Sequence, residues 1–163
     1  MQYAAQTPEQ LLPREEILAM SGLEFMQRVL RGEISGAPIA GPMNLRLLEV
    51  EEGRVVFTGT PQFNALNPSG GVHGGWYGTL LDSALGCAVM TKVPQGSVYT
   101  TLEYKVNITR AVPLGMEVHC TAWTDHAGRS TGVAHGEIRG AEDGKLYATG
   151  STTCIIMQLA PKT

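Results

Sequence analysis

The chain has 163 residues and a mass of 17.4 kDa, the size of one ordinary domain and too small for two full catalytic domains. Hydrophobic residues make up 43% of the chain and charged residues 17%. This composition argues against a disordered chain and favours a compact fold, which is compatible with an oligomer. The formal net charge of -3 and the lack of a basic run argue against nucleic acid as a partner.

The first residues carry none of the marks of a targeting or membrane segment. Residues 1–12 contain Gln, Thr, Pro and Glu where a secretory signal needs a basic start and an apolar stretch. No apolar run approaches the ~20 residues of a membrane span. The cysteines, Cys87, Cys120 and Cys154, are widely separated, which favours reduced thiols over disulfides or a metal site. We therefore expect a cytoplasmic protein that contacts no membrane and needs no metal or cofactor.

The first third of the sequence predicts short helices followed by a hairpin. Residues 1–13 are predicted to form a loose leader. Apolar residues in 14–31 recur with an imperfect helical rhythm that breaks at Ser21-Gly22, which predicts two short helices or one broken helix. Residues 36–42 are typical of a connector. Residues 44–50 and 54–60 flank Glu51-Glu52-Gly53 and predict a β-hairpin.

The rest of the sequence predicts one buried helix and four strands. A loop over 63–75, rich in Asn, Pro, Ser and Gly, leads into an apolar helix over 76–90. The predicted strands are 97–111, 117–125, 130–139 and 145–158. These elements predict an α+β fold, in which a curved antiparallel sheet of about six strands wraps around the one central helix. Residues 1–43 form an N-terminal extension that is partly helical, and residues 44–163 form the main domain.

Asp82 stands out on the predicted helix because it lies off the apolar stripe. Its neighbours on the helical wheel are Gly75, Gly78 and Gly86. Glycines are costly in helices, so three on one face suggest that a substrate or a second subunit approaches closely. The alternative for Asp82 is a solvated charge on the outer side of the helix. The glycine-rich loop before it supplies free N–H groups at the helix start, which suit a developing oxyanion.

The loop and the helix carry two motifs, Asn67-Pro68-x-Gly70-x-x-His73-Gly74-Gly75 and Leu80-Leu81-Asp82-Ser83-Ala84. Together they resemble the motifs of the hotdog-fold acyl-CoA thioesterases, specifically the phenylacetate-pathway (PaaI-like) branch related to 4-hydroxybenzoyl-CoA thioesterase. The resemblance covers residues 44–159 and implies a hotdog fold. It also implies a homodimer or homotetramer in which two sheets join and the active sites lie between subunits. The implied substrate is an acyl-CoA thioester, hydrolysed to the free acid and coenzyme A.

By position, the resemblance implies a set of catalytic residues. Gly74 offers its backbone N–H to the thioester carbonyl, and Asp82 of the other subunit is the nucleophile or the general base. Asn67 orients the water or the thioester. His73 holds the loop, with polarisation of the carbonyl as the alternative.

Further polar residues complete the expected site. Either Thr100 or Thr101 lines it, because successive strand residues point to opposite faces. The offset of 18 residues from Asp82 (100 minus 82) matches the spacing that the resemblance implies, which favours Thr100 as the catalytic residue. Gly75, Thr101 and Arg110 are the expected substrate-binding residues, with Arg110 placed on the strand after the helix, where it could reach the phosphates of coenzyme A. The alternative for Arg110 is a solvated surface charge.

Two other functions stay open on the sequence. One is a hotdog dehydratase or hydratase that acts on 3-hydroxyacyl thioesters, and the other is a non-catalytic module that binds acyl-CoA. The Gly-Gly that follows His73 favours hydrolysis over hydration, and the joint presence of Asp82, Asn67 and Gly74 argues against a module without activity. The acyl group stays undetermined, and the N-terminal extension is a candidate cap for one end of its pocket.

Overall fold

The computed structural model describes residues 3–159. The first two residues of the predicted leader and the last four of the predicted domain 44–163 lie outside the described residues. The helices are α1 (Arg14–Leu18), α2 (Gly22–Leu30), α3 (Ala40–Met43) and α4 (Gly74–Met90). The strands are β1 (Leu45–Glu51), β2 (Arg54–Gly59), β3 (Ser97–Ile108), β4 (Val118–Ala127), β5 (Thr131–Gly140) and β6 (Leu146–Gln158).

The six strands form one antiparallel sheet in the order β1-β2-β4-β5-β6-β3. Gly53 adopts a φ of +80° in the turn between β1 and β2, a conformation that favours glycine, so the predicted hairpin is confirmed. The sheet curves around α4, and Val118, Cys120 and Ala122 of β4 are fully buried on the face that meets it. The expected α+β hotdog architecture is therefore confirmed.

Helix α4 is the centre of the core. The apolar residues of the predicted stripe are all buried: Tyr77, Leu80, Leu81, Ala84, Leu85 and Ala88. The indole N–H of Trp76 donates to the carbonyl of Met43 at 2.9 Å, and the hydroxyl of Tyr77 accepts from the N–H of Val112 at 2.7 Å. These bonds give each of the two buried aromatic side chains a partner for its polar atom.

The glycines on the Asp82 side of α4 accommodate β3 of the same chain. A Cβ atom at Gly86 would lie 2.7 Å from the hydroxyl of Tyr99, and one at Gly78 would lie 3.2 Å from that of Tyr104. The sequence suggested that a substrate or a second subunit approaches these glycines. At these two positions the group that approaches closely is instead strand β3 of the same chain. At Gly75 the nearest atom is in the ring of His73.

The N-terminal segment, defined here as residues 3–40, packs onto the rest of the fold. The prediction of a loose leader is wrong for residues 3–5, because Ala4 and Ala5 are buried and Ala4 forms a parallel bridge with Gly36, whereas residues 6–11 are exposed. The predicted connector is also partly wrong, since α3 begins at Ala40 inside it. Residues of this segment join the same hydrophobic core as α4, including Met26 and Val29.

The predicted break at Ser21-Gly22 is confirmed, and it fixes α2 to the core. The hydroxyl of Ser21 accepts from the N–H of Glu24 at 3.2 Å and caps α2. The N–H of Gly22 donates to the carbonyl of Val93 at 2.9 Å. Gly22 lies so close to the end of α4 that a Cβ atom there would overlap the carbonyl oxygen of Met90. Only glycine fits between the two helices at this point.

We expect Gly22→Ala to lower the free energy of unfolding by about 1–3 kcal/mol, because α2 must move away from the backbone of α4. Denaturant titration measures this change. Gly41→Ala is the matched control, since the nearest atom to a Cβ at that position is 3.7 Å away. The control is expected to equal or slightly exceed the wild type, and equal stability of the two variants would contradict the tight packing at Gly22.

Candidate active site

The loop before α4 is held together by Asn67. Its side-chain oxygen accepts from the N–H of Ser69 at 2.9 Å and from that of Gly71 at 3.2 Å. Its own backbone N–H donates to the carbonyl of Gly71 at 2.8 Å. Gly70 takes a φ of +82° within this turn. Asn67 therefore shapes the loop within the chain, and its predicted contact with water or thioester remains a prediction.

His73 caps the helix that the loop leads into. Its Nδ1 atom accepts from the N–H of Gly75 at 2.8 Å, so the neutral ring carries its proton on Nε2. Its backbone N–H donates to the carbonyl of Ala65 at 2.8 Å. This is the loop-holding position that the sequence favours for His73. The N–H of Gly75, an expected substrate contact, is occupied by this cap.

Gly74 presents a free donor at the start of α4. The helix begins two residues earlier than predicted, so Gly74 is its first residue, and it is exposed. Within residues 3–159 its N–H donates no hydrogen bond. The positive end of the helix dipole lies at the same place. This geometry suits an oxygen atom that gains negative charge.

Asp82 lies half-buried in the middle of α4, where Thr101 contacts it. The hydroxyl of Thr101 donates to Oδ1 of Asp82 at 3.0 Å. Thr100 lies on the opposite face of β3 and is exposed. The threonine that meets Asp82 is thus Thr101, although the spacing favoured Thr100, and the catalytic part of either residue remains a prediction. Among the described residues no Lys, Arg or His forms an ion pair with Asp82.

Gly74 and Asp82 of one chain are too far apart to act on the same carbonyl group. Eight residues separate them on one helix, a rise of about 12 Å along its axis. A reacting carbonyl needs both groups at about 3 Å. A site that uses both residues must therefore combine two copies of the chain.

Arg110 lies outside the strand to which the sequence assigned it, because β3 ends at Ile108. Its backbone N–H donates to the carbonyl of Tyr147 at 3.2 Å, and its guanidinium lies 6.0 Å from the centre of the Tyr147 ring. The side chain is exposed. Contact with coenzyme A phosphates remains a prediction for this residue.

A cavity of about 580 Å³ opens beside Asp82. Its wall on α4 includes Asp82, Ser83 and Cys87, and its wall on β3 includes Tyr99 and Thr101. Sequence analysis did not select Cys87 or Tyr99 as site residues. The helical period relates Cys87 to Ser83, four residues earlier, but it places Cys87 about 140° around the helix from Asp82, so a count from Asp82 would not select it.

On the cavity wall formed by α4 and β3, neither Cys87 nor Tyr99 is a charged nucleophile. Burial raises the pKa of the Cys87 thiol to about 12, and the nearby charge of Asp82 acts in the same direction. Burial likewise raises the pKa of Tyr99 well above its ordinary value. Both groups are therefore neutral at physiological pH, and a thiolate mechanism at Cys87 is disfavoured.

The described residues show neither a cluster of metal-binding side chains nor a membrane-spanning helix. Within residues 3–159, no three His, Cys, Asp or Glu side chains lie together in a way that could hold a metal ion. None of the helices in that range is long and apolar enough to cross a membrane.

The chain is similar to proteins of known family. Residues 69–147 match the model of the thioesterase superfamily, and a comparison with curated proteins finds no match. A conserved protein of Pseudomonas aeruginosa is 30% identical, covers 75% of this chain and 95% of its own, and has a TM-score of 0.69. A phenylacetic acid degradation-related protein of Ralstonia eutropha JMP134 is 28% identical, with coverages of 80% and 98% and a TM-score of 0.72.

A third similar structure is that of a protein with coenzyme A. It is a hypothetical thioesterase protein of Streptococcus pneumoniae TIGR4 with coenzyme A, which is 25% identical, covers 72% of this chain and 89% of its own, and has a TM-score of 0.64. The stretch that matches the family model includes His73, Gly74 and Asp82. The chain therefore belongs to the thioesterase superfamily, as a hotdog-fold thioesterase of the PaaI-like type.

Proposed function

We propose that two copies of this chain together hydrolyse acyl-CoA thioesters. Asp82 of one copy supplies the carboxylate, and the N–H of Gly74 in the other copy binds the thioester oxygen. The observation that carries the proposal is the N–H of Gly74, which has no partner in the described part of the chain and lies about 12 Å along the same helix from Asp82. The Streptococcus protein with coenzyme A supports the same class of substrate.

The free edge of β3 supports pairing between the copies. This strand has 12 residues and lies at the end of the sheet, with Leu102 (60% exposed), Tyr104 (47%) and Ile108 (48%) uncovered. An unpaired edge with large exposed apolar side chains is a template for another strand. Antiparallel pairing of β3 with its copy would extend the sheet and cover these residues.

Such a pairing also supports the assignment of the two catalytic groups to different copies. Thr101 contacts Asp82, and the side chain of Ile108 lies near Gly74, so the two groups flank opposite halves of β3. With a two-fold axis near the middle of the strand, Thr101 of one copy lies opposite Ile108 of the other. Neighbouring strands are about 4.8 Å apart, so Asp82 of one copy comes close to Gly74 of the other.

The reaction follows from these positions. The Gly74 N–H binds the carbonyl oxygen and stabilises the negative charge that forms on it. As general base, Asp82 takes a proton from water while the water oxygen bonds to the carbonyl carbon. The carbon–sulfur bond then breaks, and the coenzyme A sulfur receives the proton held by Asp82. As nucleophile, the carboxylate would instead bond to the carbonyl carbon and displace coenzyme A as its thiolate, and water would then cleave the mixed anhydride to the free acid and the Asp82 carboxylate.

We expect Asp82→Asn to lower kcat on a competent acyl-CoA by at least ~10²-fold, because the amide cannot take up a proton. The amide oxygen can still accept from Thr101, so the fold is retained. Asp125→Asn is the control, since Asp125 is exposed on β4 and pairs with His135 at 2.7 Å. Release of free thiol measures turnover, and circular dichroism checks the fold.

The same assay separates the other two functions. A hydratase would consume the enoyl absorbance of crotonyl-CoA without release of thiol. A binding module would bind acyl-CoA and release none. Unchanged thiol release by Asp82→Asn would remove the carboxylate from the mechanism.

Gly74→Pro removes the proposed donor and keeps the helix. Proline is well tolerated as the first residue of a helix, and His73 has φ -64° and ψ 137°, which suits a residue before proline. We expect kcat to fall about 10²–10³-fold. Gly74→Ala keeps the N–H, and its Cβ would lie 3.6 Å from Ile108, so its loss should be much smaller. Equal losses for the two variants would speak against the N–H.

Coexpression of the Asp82→Asn and Gly74→Pro chains tests whether the site is shared. Random pairing makes half of the dimers mixed, and one of the two sites in each mixed dimer keeps both residues. We therefore expect about a quarter of the wild-type activity from two chains that are inactive alone. Activity no higher than that of the single variants would show that each site belongs to one chain.

A further inference from the structure

The cavity beside Asp82 has a second wall, which the N-terminal segment supplies. Helix α2 contributes Phe25, Met26 and Val29, and the chain after it contributes Ile34 and Ala37. None of these residues lies in the stretch that matches the family model, residues 69–147. We propose that this cavity receives the acyl group of the substrate, an inference that rests on the proposed function. The N-terminal segment then makes the enzyme selective for uncharged, apolar acyl groups larger than acetyl.

Continuity with Asp82 identifies the acyl group as the occupant. The polar wall holds Asp82 with Thr101, and the opposite wall is formed by aliphatic and aromatic side chains. An acyl group whose carbonyl carbon lies at Asp82 must extend its chain away from that carboxylate. The space available in that direction is bounded by Phe25 and Val29 of α2 and by Phe57 of β2.

The charges on the cavity wall select against charged acyl groups. Of the described residues that line the cavity, Asp82 alone bears a formal charge, and no lysine, arginine or histidine is among them. A second carboxylate on the acyl group, as in a succinyl group, would be buried without a cation. Such burial is strongly unfavourable, and the charge of Asp82 repels it further.

The volume of about 580 Å³ sets the size of the acyl group. Cavities of this size enclose whole small ligands, so an acetyl group would leave most of this one unfilled. Each methylene that enters the cavity gains about fourfold in binding, which is the factor that corresponds to 0.8 kcal/mol per buried methylene. The preference should therefore rise with chain length until the cavity is full.

The N-terminal wall is firmly held, as a specificity element requires. Gly22 anchors α2 through the carbonyl of Val93, at 2.9 Å. At the other end of the segment, the hydroxyl of Tyr3 accepts from the N–H of Leu47 on β1. Both Tyr3 and Leu47 also line the cavity. The wall is thus part of the packed fold, and its position does not depend on a bound substrate.

The first experiment compares acetyl-, hexanoyl-, decanoyl- and succinyl-CoA as substrates of the full-length protein. We expect kcat/KM to rise by at least about tenfold from acetyl to hexanoyl, with succinyl close to acetyl. Equal values for acetyl, hexanoyl and decanoyl, or efficient hydrolysis of the succinyl ester, would overturn the inference.

The second experiment changes the N-terminal wall. Val29→Phe narrows the cavity and should lower kcat/KM for decanoyl-CoA by about tenfold or more relative to acetyl-CoA. Leu30→Phe is the matched control, because Leu30 follows Val29 in α2 but is partly exposed and does not line the cavity. Phe25→Ala widens the cavity and keeps the test valid if Val29→Phe does not fold. An equal effect of Val29→Phe or Phe25→Ala on all four esters would contradict a role in selectivity.

Calorimetric binding of the same esters to Asp82→Asn protein separates this inference from the proposed function. If no ester is hydrolysed by the wild type but affinity rises with chain length, the proposed hydrolysis fails and the acyl cavity stands. If hydrolysis occurs but neither kcat/KM nor affinity depends on the acyl group, the cavity assignment fails and the hydrolysis stands.

Discussion

The structure depends on the burial of α4. This 17-residue helix is enclosed by the sheet and by the N-terminal segment, and its apolar side chains form the centre of one core. Burial on almost every side leaves few polar positions on the helix. The first is its exposed start, where the N–H of Gly74 has no partner among residues 3–159, and the second is the face that carries Asp82. The two groups proposed for the reaction thus lie where the packing of the helix is incomplete.

Much of this arrangement could be predicted from the sequence, because the signals were local. Helical period over 76–90, turn residues at Gly53 and alternation in the later strands each follow from contacts between residues close in sequence. The motif around His73 and Gly74 is also local, since the loop, the cap and the first turn of α4 are continuous. For that reason the fold and the elements that position the site agree with the sequence-based prediction.

The structure departs from the expectations where distant residues decide the outcome. Whether Thr100 or Thr101 meets Asp82 depends on which face of β3 meets α4, and the register of this strand shifts between Thr101 and Glu103. A bulge of this kind has no reliable signal in one sequence. Ala4 and Ala5 are buried only because Gly36 lies beside them. Cys87 shows the same limit, since its place in the cavity depends on α2 and on β3 as much as on its own helix.

The cavity joins two stretches of chain that are separate in the sequence. One wall belongs to residues 3–40, and the other carries Asp82 and Thr101. Exchange of the first stretch between related genes, in a single recombination event, would transfer a binding wall without altering the groups proposed for the reaction. Substrate range and catalytic chemistry can therefore diverge along independent evolutionary routes in proteins built in this way.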